Sequence, residues 1–287
     1  MTKQEELIHE WRNKALMMCD VDNCVVNADG KISKETDEAL KALINVKGHS
    51  YYFGMMSYRP VMQVFKIYNS MELRPSSYLI GSKGAEVLSM SSSQTLIDQH
   101  IDPATAKKIY DQLMEISKHN NKLCFHVSYD GVWNYLHNVS KEAWGKFNLG
   151  DALVLHDAFE SDNVITFVIH HLDDDFASFE AFAKSLNIRV AVSGKDMTLL
   201  NKDVNIATSL NFIIKHLDVV PSHVAVVSKT INDKSLFEIP GVYGITSKDA
   251  DEELKKVAKL VIDKDPKDFV AEAIKCFKEY LKTVEIK

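Results

Sequence analysis

What this chain has little of narrows its class first. Only four cysteines occur in 287 residues: Cys19, Cys24, Cys124 and Cys276. Cys19 and Cys24 lie close together but lack the spacing of a metal-ligand pair, so a reduced, cytoplasmic protein is expected. No apolar run approaches the ~20 residues that a bilayer-spanning helix needs. The opening stretch from Met1 to Trp11 is too polar for a secretory signal. There is no basic excess either. The formal net charge is −6, which argues against a general nucleic-acid binder. Gly-x-Gly-x-x-Gly is absent, so dinucleotide binding has no support, and so is the Gly-x-Ser-x-Gly nucleophile elbow. Internal repeats and low-complexity linkers are also absent.

What remains is an ordinary globular composition, 46% hydrophobic and 26% charged, long enough for one large domain or two modest ones. Its most informative stretch is Ala15 to Val26. An apolar run ends abruptly in Asp20 and Asp22, one residue apart. That pattern reads as a buried strand delivering two carboxylates to its carboxyl end, where open α/β sheets bind ligands. An acidic turn after a strand would look the same. Ser33 precedes acids and the apolar positions Leu40, Leu43 and Ile44, which predicts a capped crossover helix closed by Gly48. Residues 3–13 read as a lead-in helix. His49 to Met56 reads as a second buried strand, Val61 to Tyr68 as a helix after Pro60, and Ser77 to Ile80 as a third strand. This alternation predicts a parallel sheet. From Ala85 to Gly194 the rhythm becomes α+β, with strands at 122–127, 132–136, 164–169 and 188–192. It then reverts to alternating helices and strands. The expected organisation is a discontinuous α/β core, residues 1–85 and 195–287, with a cap inserted at 86–194.

In order and spacing, these residues resemble the haloacid dehalogenase superfamily, its Cof-type and sugar-phosphate phosphatases in particular. Asp20-Val-Asp22-Asn23-Cys24 stands where that family has Asp-x-Asp-Gly-Thr. Gly30-Lys-Ile-Ser33 matches its following turn, Ser57-Tyr58-Arg59-Pro60 its Thr-Gly-Arg-Pro, and Lys83-Gly84-Ala85 its Asn-Gly-Ala. Ser228-Lys229-Thr-Ile-Asn232-Asp233 corresponds to its final Gly-Asp-x-x-Asn-Asp. The resemblance implies a Rossmann-like core with a C2-type cap acting on a small phosphorylated metabolite. Asp20 would be the nucleophile, forming an aspartyl phosphate, and Asp22 the general acid and base, help worth ~10²–10⁴ in rate. Mg²⁺ would be held by Asp20, Asp22 and Asp233. Ser57, Asn23, Lys229 and Asn232 would contact phosphate, and Asp130 and Trp133 of the cap would meet substrate. Lys83 fits either a phosphate contact or a surface turn. The pairs His170-His171 and Asp173 to Asp175 fit strand and helix-start positions better than a metal site. The sequence carries no signature of an oligomeric state.

Two departures touch the chemistry. Ile206 occupies the position of the family's third-motif lysine, with Lys202 as the nearest alternative. Lys229 replaces a carboxylate metal ligand, and an ammonium has no acceptor to offer a metal. The expectation is that Lys229 enters the crevice beside Asp20 and Asp233. At an effective dielectric of ~20, two unit charges ~4 Å apart attract by ~4 kcal/mol. Lys229 would then depress the Asp20 pKa, weaken Mg²⁺ binding and reduce turnover. The alternative is a family member that binds a ligand or partner without phosphatase turnover.

Overall fold

The computed structural model describes residues 14–22, 24–27, 31–45, 50–71, 73, 77–129, 133–140, 154–263 and 268–284. The helix expected at 3–13 and Gly48, Asn23 and Asp130 lie outside the described residues. No described helix is long and apolar enough to cross a membrane.

The expected alternation opens the fold: β1 (Lys14–Asp20), α1 (Lys34–Ile44), β2 (Ser50–Met56), α2 (Val61–Asn69) and β3 (Ser77–Gly81). The Ser33 hydroxyl accepts the Thr36 N–H at 2.9 Å, the cap that the sequence predicts for α1. Leu40, Leu43 and Ile44 form its buried stripe. Then come β4 (Glu86–Ser89), β5 (Gln94–Asp98), α3 (Pro103–Ser117), β6 (Cys124–Tyr129), β7 (Trp133–His137), β8 (Val154–His156), β9 (Val164–His170), α4 (Phe176–Ser185), β10 (Arg189–Ser193) and β11 (Asp196–Leu200). The chain closes with α5 (Ile206–Leu217), β12 (Val224–Val227), α6 (Lys234–Phe237), β13 (Tyr243–Ser247), α7 (Glu252–Lys255), β14 (Leu260–Ile262) and α8 (Phe269–Val284).

These strands form two sheets. The first has eight strands in the order β14-β13-β12-β1-β2-β3-β4-β5. It is parallel from β14 to β3, with β4 and β5 added antiparallel. The second has six strands, β10-β11-β9-β6-β7-β8, antiparallel except for β7 with β8. Strand pairing therefore moves both edges of the insert expected at 86–194. Residues 86–98 extend the core sheet, and Asp196–Leu200 pairs within the cap sheet. The apolar sequence rhythm does not mark β5, because none of its five residues is fully buried.

Both faces of the core sheet are covered. Met17, Cys19, Phe53 and Met55 pack one side with α1, α2 and α8, while Leu16, Met18 and Met56 pack the other with α5. A central parallel strand buried on both faces reads as a continuous apolar run, which is what Ala15 to Cys19 shows. The Asp268 carboxylate ties α8 to α1. It accepts the N–H of Thr36 at 3.1 Å and of Ala271 at 3.2 Å, and takes the Ser33 and Thr36 hydroxyls.

One close approach sets the loop that follows β2. A Cβ on Gly81 would lie 2.4 Å from the Val61 backbone nitrogen. The end of β3 thus seats directly on the start of α2, and Ser82 N–H donates to the Arg59 carbonyl at 2.8 Å. Gly81→Ala should cost about 1–3 kcal/mol, because backbone rather than a flexible side chain must yield. Urea unfolding of both proteins measures the difference.

Candidate functional site

Three strand ends meet at the carboxyl edge of the core sheet. β1 lies between β12 and β2 in parallel register, Cys19 opposite Val227 and Asp20 opposite Met56. The residues that follow, Val21, Ser57 and Ser228, therefore leave the sheet side by side. Asp20 and Ser57 are buried, as is Asp233 of the turn after β12. The turn after Asp20 closes on itself, with Val25 N–H to the Asp20 carbonyl at 3.3 Å and Val26 N–H to Val21 at 3.0 Å. These elements open onto a crevice of about 690 Å³ lined in part by Asp20, Asp22, Tyr58, Lys229 and Asn232.

The two aspartates of β1 stand in different environments. The Asp22 carboxylate is gripped by Arg59: Nε lies 3.2 and 3.1 Å from its two oxygens, and Nη2 lies 2.8 Å from Oδ1. The Ser57 hydroxyl donates to Asp22 Oδ2 at 3.3 Å and accepts the Arg59 N–H at 3.0 Å. Such a forked contact fixes orientation as well as charge. Arg59 therefore occupies the carboxylate of Asp22, one of the three residues expected to hold metal.

Among the described residues, no cation pairs with Asp20. Burial first, then the negative charges of Asp233 and Asp22, raise its pKa well above the usual carboxylate value, against the N–H groups of Val21 and Asp22. Burial likewise lifts Asp233 to about 6, opposed by the Ser228 hydroxyl at 2.7 Å. Lys229 lines the crevice as expected, but its ammonium goes to Asp249 Oδ2 at 3.1 Å and over the Phe269 ring at 4.9 Å. Asp20 is thus raised rather than depressed, which corrects the effect expected of Lys229. The acids that draw this loop aside lie after β13. Asp249 takes the ammonium, and Asp251 accepts the Ile231 N–H at 2.5 Å. Nothing in their sequence context singles them out.

Ile206 starts α5 and is buried in the apolar cluster with Leu16, Met18 and Met56. No cation enters the crevice from this helix start, which Asn205 caps by accepting the Ala207 N–H at 2.9 Å. Lys202 lines a separate hollow of about 190 Å³ beside Ile101 and Asn201. Asn232 is exposed at the crevice edge. Trp133 lies in β7, and its side chain is outside the described residues, as are Asn23 and Asp130. Cys24 lines the crevice, but burial and then Asp20 push its thiol up, which opposes a thiolate role.

No three His, Cys, Asp or Glu side chains among the described residues converge as a metal site. Asp20 lines the crevice and feels the charge of the buried Asp233 behind it, a pair that suits Mg²⁺, which commonly takes one or two carboxylates and completes its shell with water and phosphate. Asp20 and Asp233 are the residues that would hold it. Removing one charge should relieve their repulsion. Asp20→Asn in EDTA should stabilise the protein at pH 7 by on the order of 1–3 kcal/mol, since one pKa unit corresponds to ~1.4 kcal/mol. A thermal or urea melt that shows no gain would contradict this electrostatic account.

Comparison with known proteins bears on the fold and the family. No match is found among curated proteins. Solved structures similar to the chain include a haloacid dehalogenase-like hydrolase from Bacteroides thetaiotaomicron, with 18% identity and a TM-score of 0.75 over 92% of this chain and 99% of the other. A haloacid dehalogenase-like hydrolase from B. subtilis has 18% identity and a TM-score of 0.72 over 91% and 99%. A second B. thetaiotaomicron protein, described among phosphatases of the haloalkanoate (HAD) enzyme superfamily, has 15% identity and a TM-score of 0.69 over 93% and 96%. At such identities these three show a shared fold. Residues 17–274 match the haloacid dehalogenase-like hydrolase family itself, and the chain belongs to that family.

Proposed function

We propose that the protein hydrolyses a small phosphate monoester through an aspartyl phosphate on Asp20. The observation that carries this reading is the meeting of Asp20, Ser57 and Asp233 at adjacent ends of β1, β2 and the β12 turn. One of the solved relatives is described among phosphatases, which supports the choice of phosphate ester. Asp20 attacks phosphorus, and the P–O bond to the leaving alcohol breaks. Asp22 gives that oxygen a proton and later takes one from the attacking water. To carry a proton, Asp22 must loosen at least one of its contacts with Arg59 or Ser57. The Ser57 hydroxyl and the N–H groups of the turn after Asp20 meet the phosphoryl oxygens, with Asn232 at the rim. Mg²⁺, when bound at Asp20 and Asp233, supplies positive charge that offsets the acids and the phosphate.

A second reading has its own support. Ile206 is buried where a cation is expected, and Lys229 replaces a ligand. A pocket with those changes binds a phosphorylated ligand without turnover. Hydrolysis of p-nitrophenyl phosphate by wild type and Asp20→Asn, each with Mg²⁺ and with EDTA, separates the two readings. The hydrolase reading expects Mg²⁺-dependent turnover that falls at least ~10²-fold in Asp20→Asn. Equal background rates from both proteins favour the binding reading.

Lys229→Asp adds a carboxylate beside the crevice and removes the partner of Asp249. The apparent Mg²⁺ affinity should tighten by about tenfold, a change of ~1.4 kcal/mol. Thermal shift during a Mg²⁺ titration measures it, and an unchanged midpoint would remove Lys229 from the metal account.

A further inference from the structure

Two cations stand at the junction of core and cap without an anion. Lys83 lies in the loop after β3, in left-handed backbone with φ 58°. Its Nζ is 4.5 Å from the centroid of the Tyr58 ring. Arg189 opens β10 of the cap sheet, and its Nη1 donates to the Val204 carbonyl just ahead of α5. Among the described residues, neither has a carboxylate partner. Burial and then the Arg189 charge lower the Lys83 pKa to about 8. A nearby carboxylate would act in the opposite direction.

Tyr58 separates these cations from the acids. Its phenol is raised by burial and then by Asp233 and Asp20, and is lowered by Arg189. Neither cation is among the residues that line the crevice of Asp20, yet Lys83 lies against a ring that does, and Arg189 is held at the Val204 carbonyl.

The backbone holds this arrangement. Lys83 N–H donates to the Ser57 carbonyl at 3.3 Å. A Cβ on Gly84 would lie 2.8 Å from Ile206 Cα, so the loop is clamped against the start of α5. The cap side mixes polar residues with Leu200. Arg189 pairs with Leu200, Leu200 with Thr166, and Thr166 with Ser128, one row on one face of the sheet. Thr166 is 3% exposed, and its hydroxyl has no hydrogen-bond partner among the described residues.

We propose that Lys83 and Arg189 form a second anion site, and that the substrate is a phosphate monoester carrying a further anionic group, a carboxylate or a second phosphate. The phosphate to be cleaved sits at Asp20, and the further group sits on the two cations beyond Tyr58. The inference rests on the phosphatase reading for the first group alone.

Calorimetry on the full chain in EDTA tests it without turnover. The probes form two matched pairs: 3-phosphoglycerate against glycerol 3-phosphate, and fructose 1,6-bisphosphate against fructose 1-phosphate. Wild type should bind the extra-anion member of at least one pair about tenfold tighter. Lys83→Gln and Arg189→Gln should each bring that ratio close to one. If one variant does not fold, the other carries the test. The first pair reports a carboxylate and the second a phosphate. Equal affinities within both pairs, no binding of any probe, or a ratio retained in the folded variants would overturn the proposal. Failure to hydrolyse any of the four compounds, with the binding ratio intact, would instead count against the phosphatase reading and leave the second anion site standing.

Discussion

Two carboxylates buried side by side cannot move apart here without shifting the register of the sheet. Asp20 continues β1, Asp233 sits in the turn after β12, and those strands are paired residue for residue. Burial makes both acids harder to ionise, and the charge of Asp233 adds to the effect at Asp20. Unpaired buried charge is costly. The rest of the crevice is arranged around that constraint: hydroxyls and backbone N–H groups reach the acids, and positive charge is kept one step away.

The cations form a ring at a distance rather than a lid on the acids. Arg59 holds Asp22, Lys229 holds Asp249, and Lys83 lies against Tyr58 with Arg189 nearby. Arg59, Lys83 and Lys229 come from the turns after β2, β3 and β12, and Arg189 from the start of β10. The acids at the end of β1 are thus left without a cation of their own among the described residues, a layout suited to a ligand that brings a cation with it. The buried Ile206 keeps the start of α5 out of this ring.

Much of the fold was legible because it follows from short-range patterns. The apolar run before Asp20, the Ser33 cap and the β-α-β alternation each have a local cause, and each recurs in the structure. The order of the motifs also sufficed for the family. The strands β4, β5, β8 and β11 were not legible as such, since their membership depends on which sheet edge accepts them. Charge partners were least legible. Lys229 sits in the expected crevice, but Asp249, twenty residues further on, decides where its ammonium goes. Arg59 was visible as part of a motif, whereas its forked grip on Asp22 is a matter of loop geometry.

The strand order also constrains how the chain is made. During synthesis β1 is followed by its partner β2 after about thirty residues. Its other neighbour, β12, is about two hundred residues away and follows the whole cap. Until then one edge of the most apolar strand has no partner, a state open to mispairing. Such distant pairing also slows folding. The helix that Asp268 fastens to α1 follows every strand of the core sheet. Completion of the core therefore waits for residues 268–284, while the cap sheet has all its strands by residue 200.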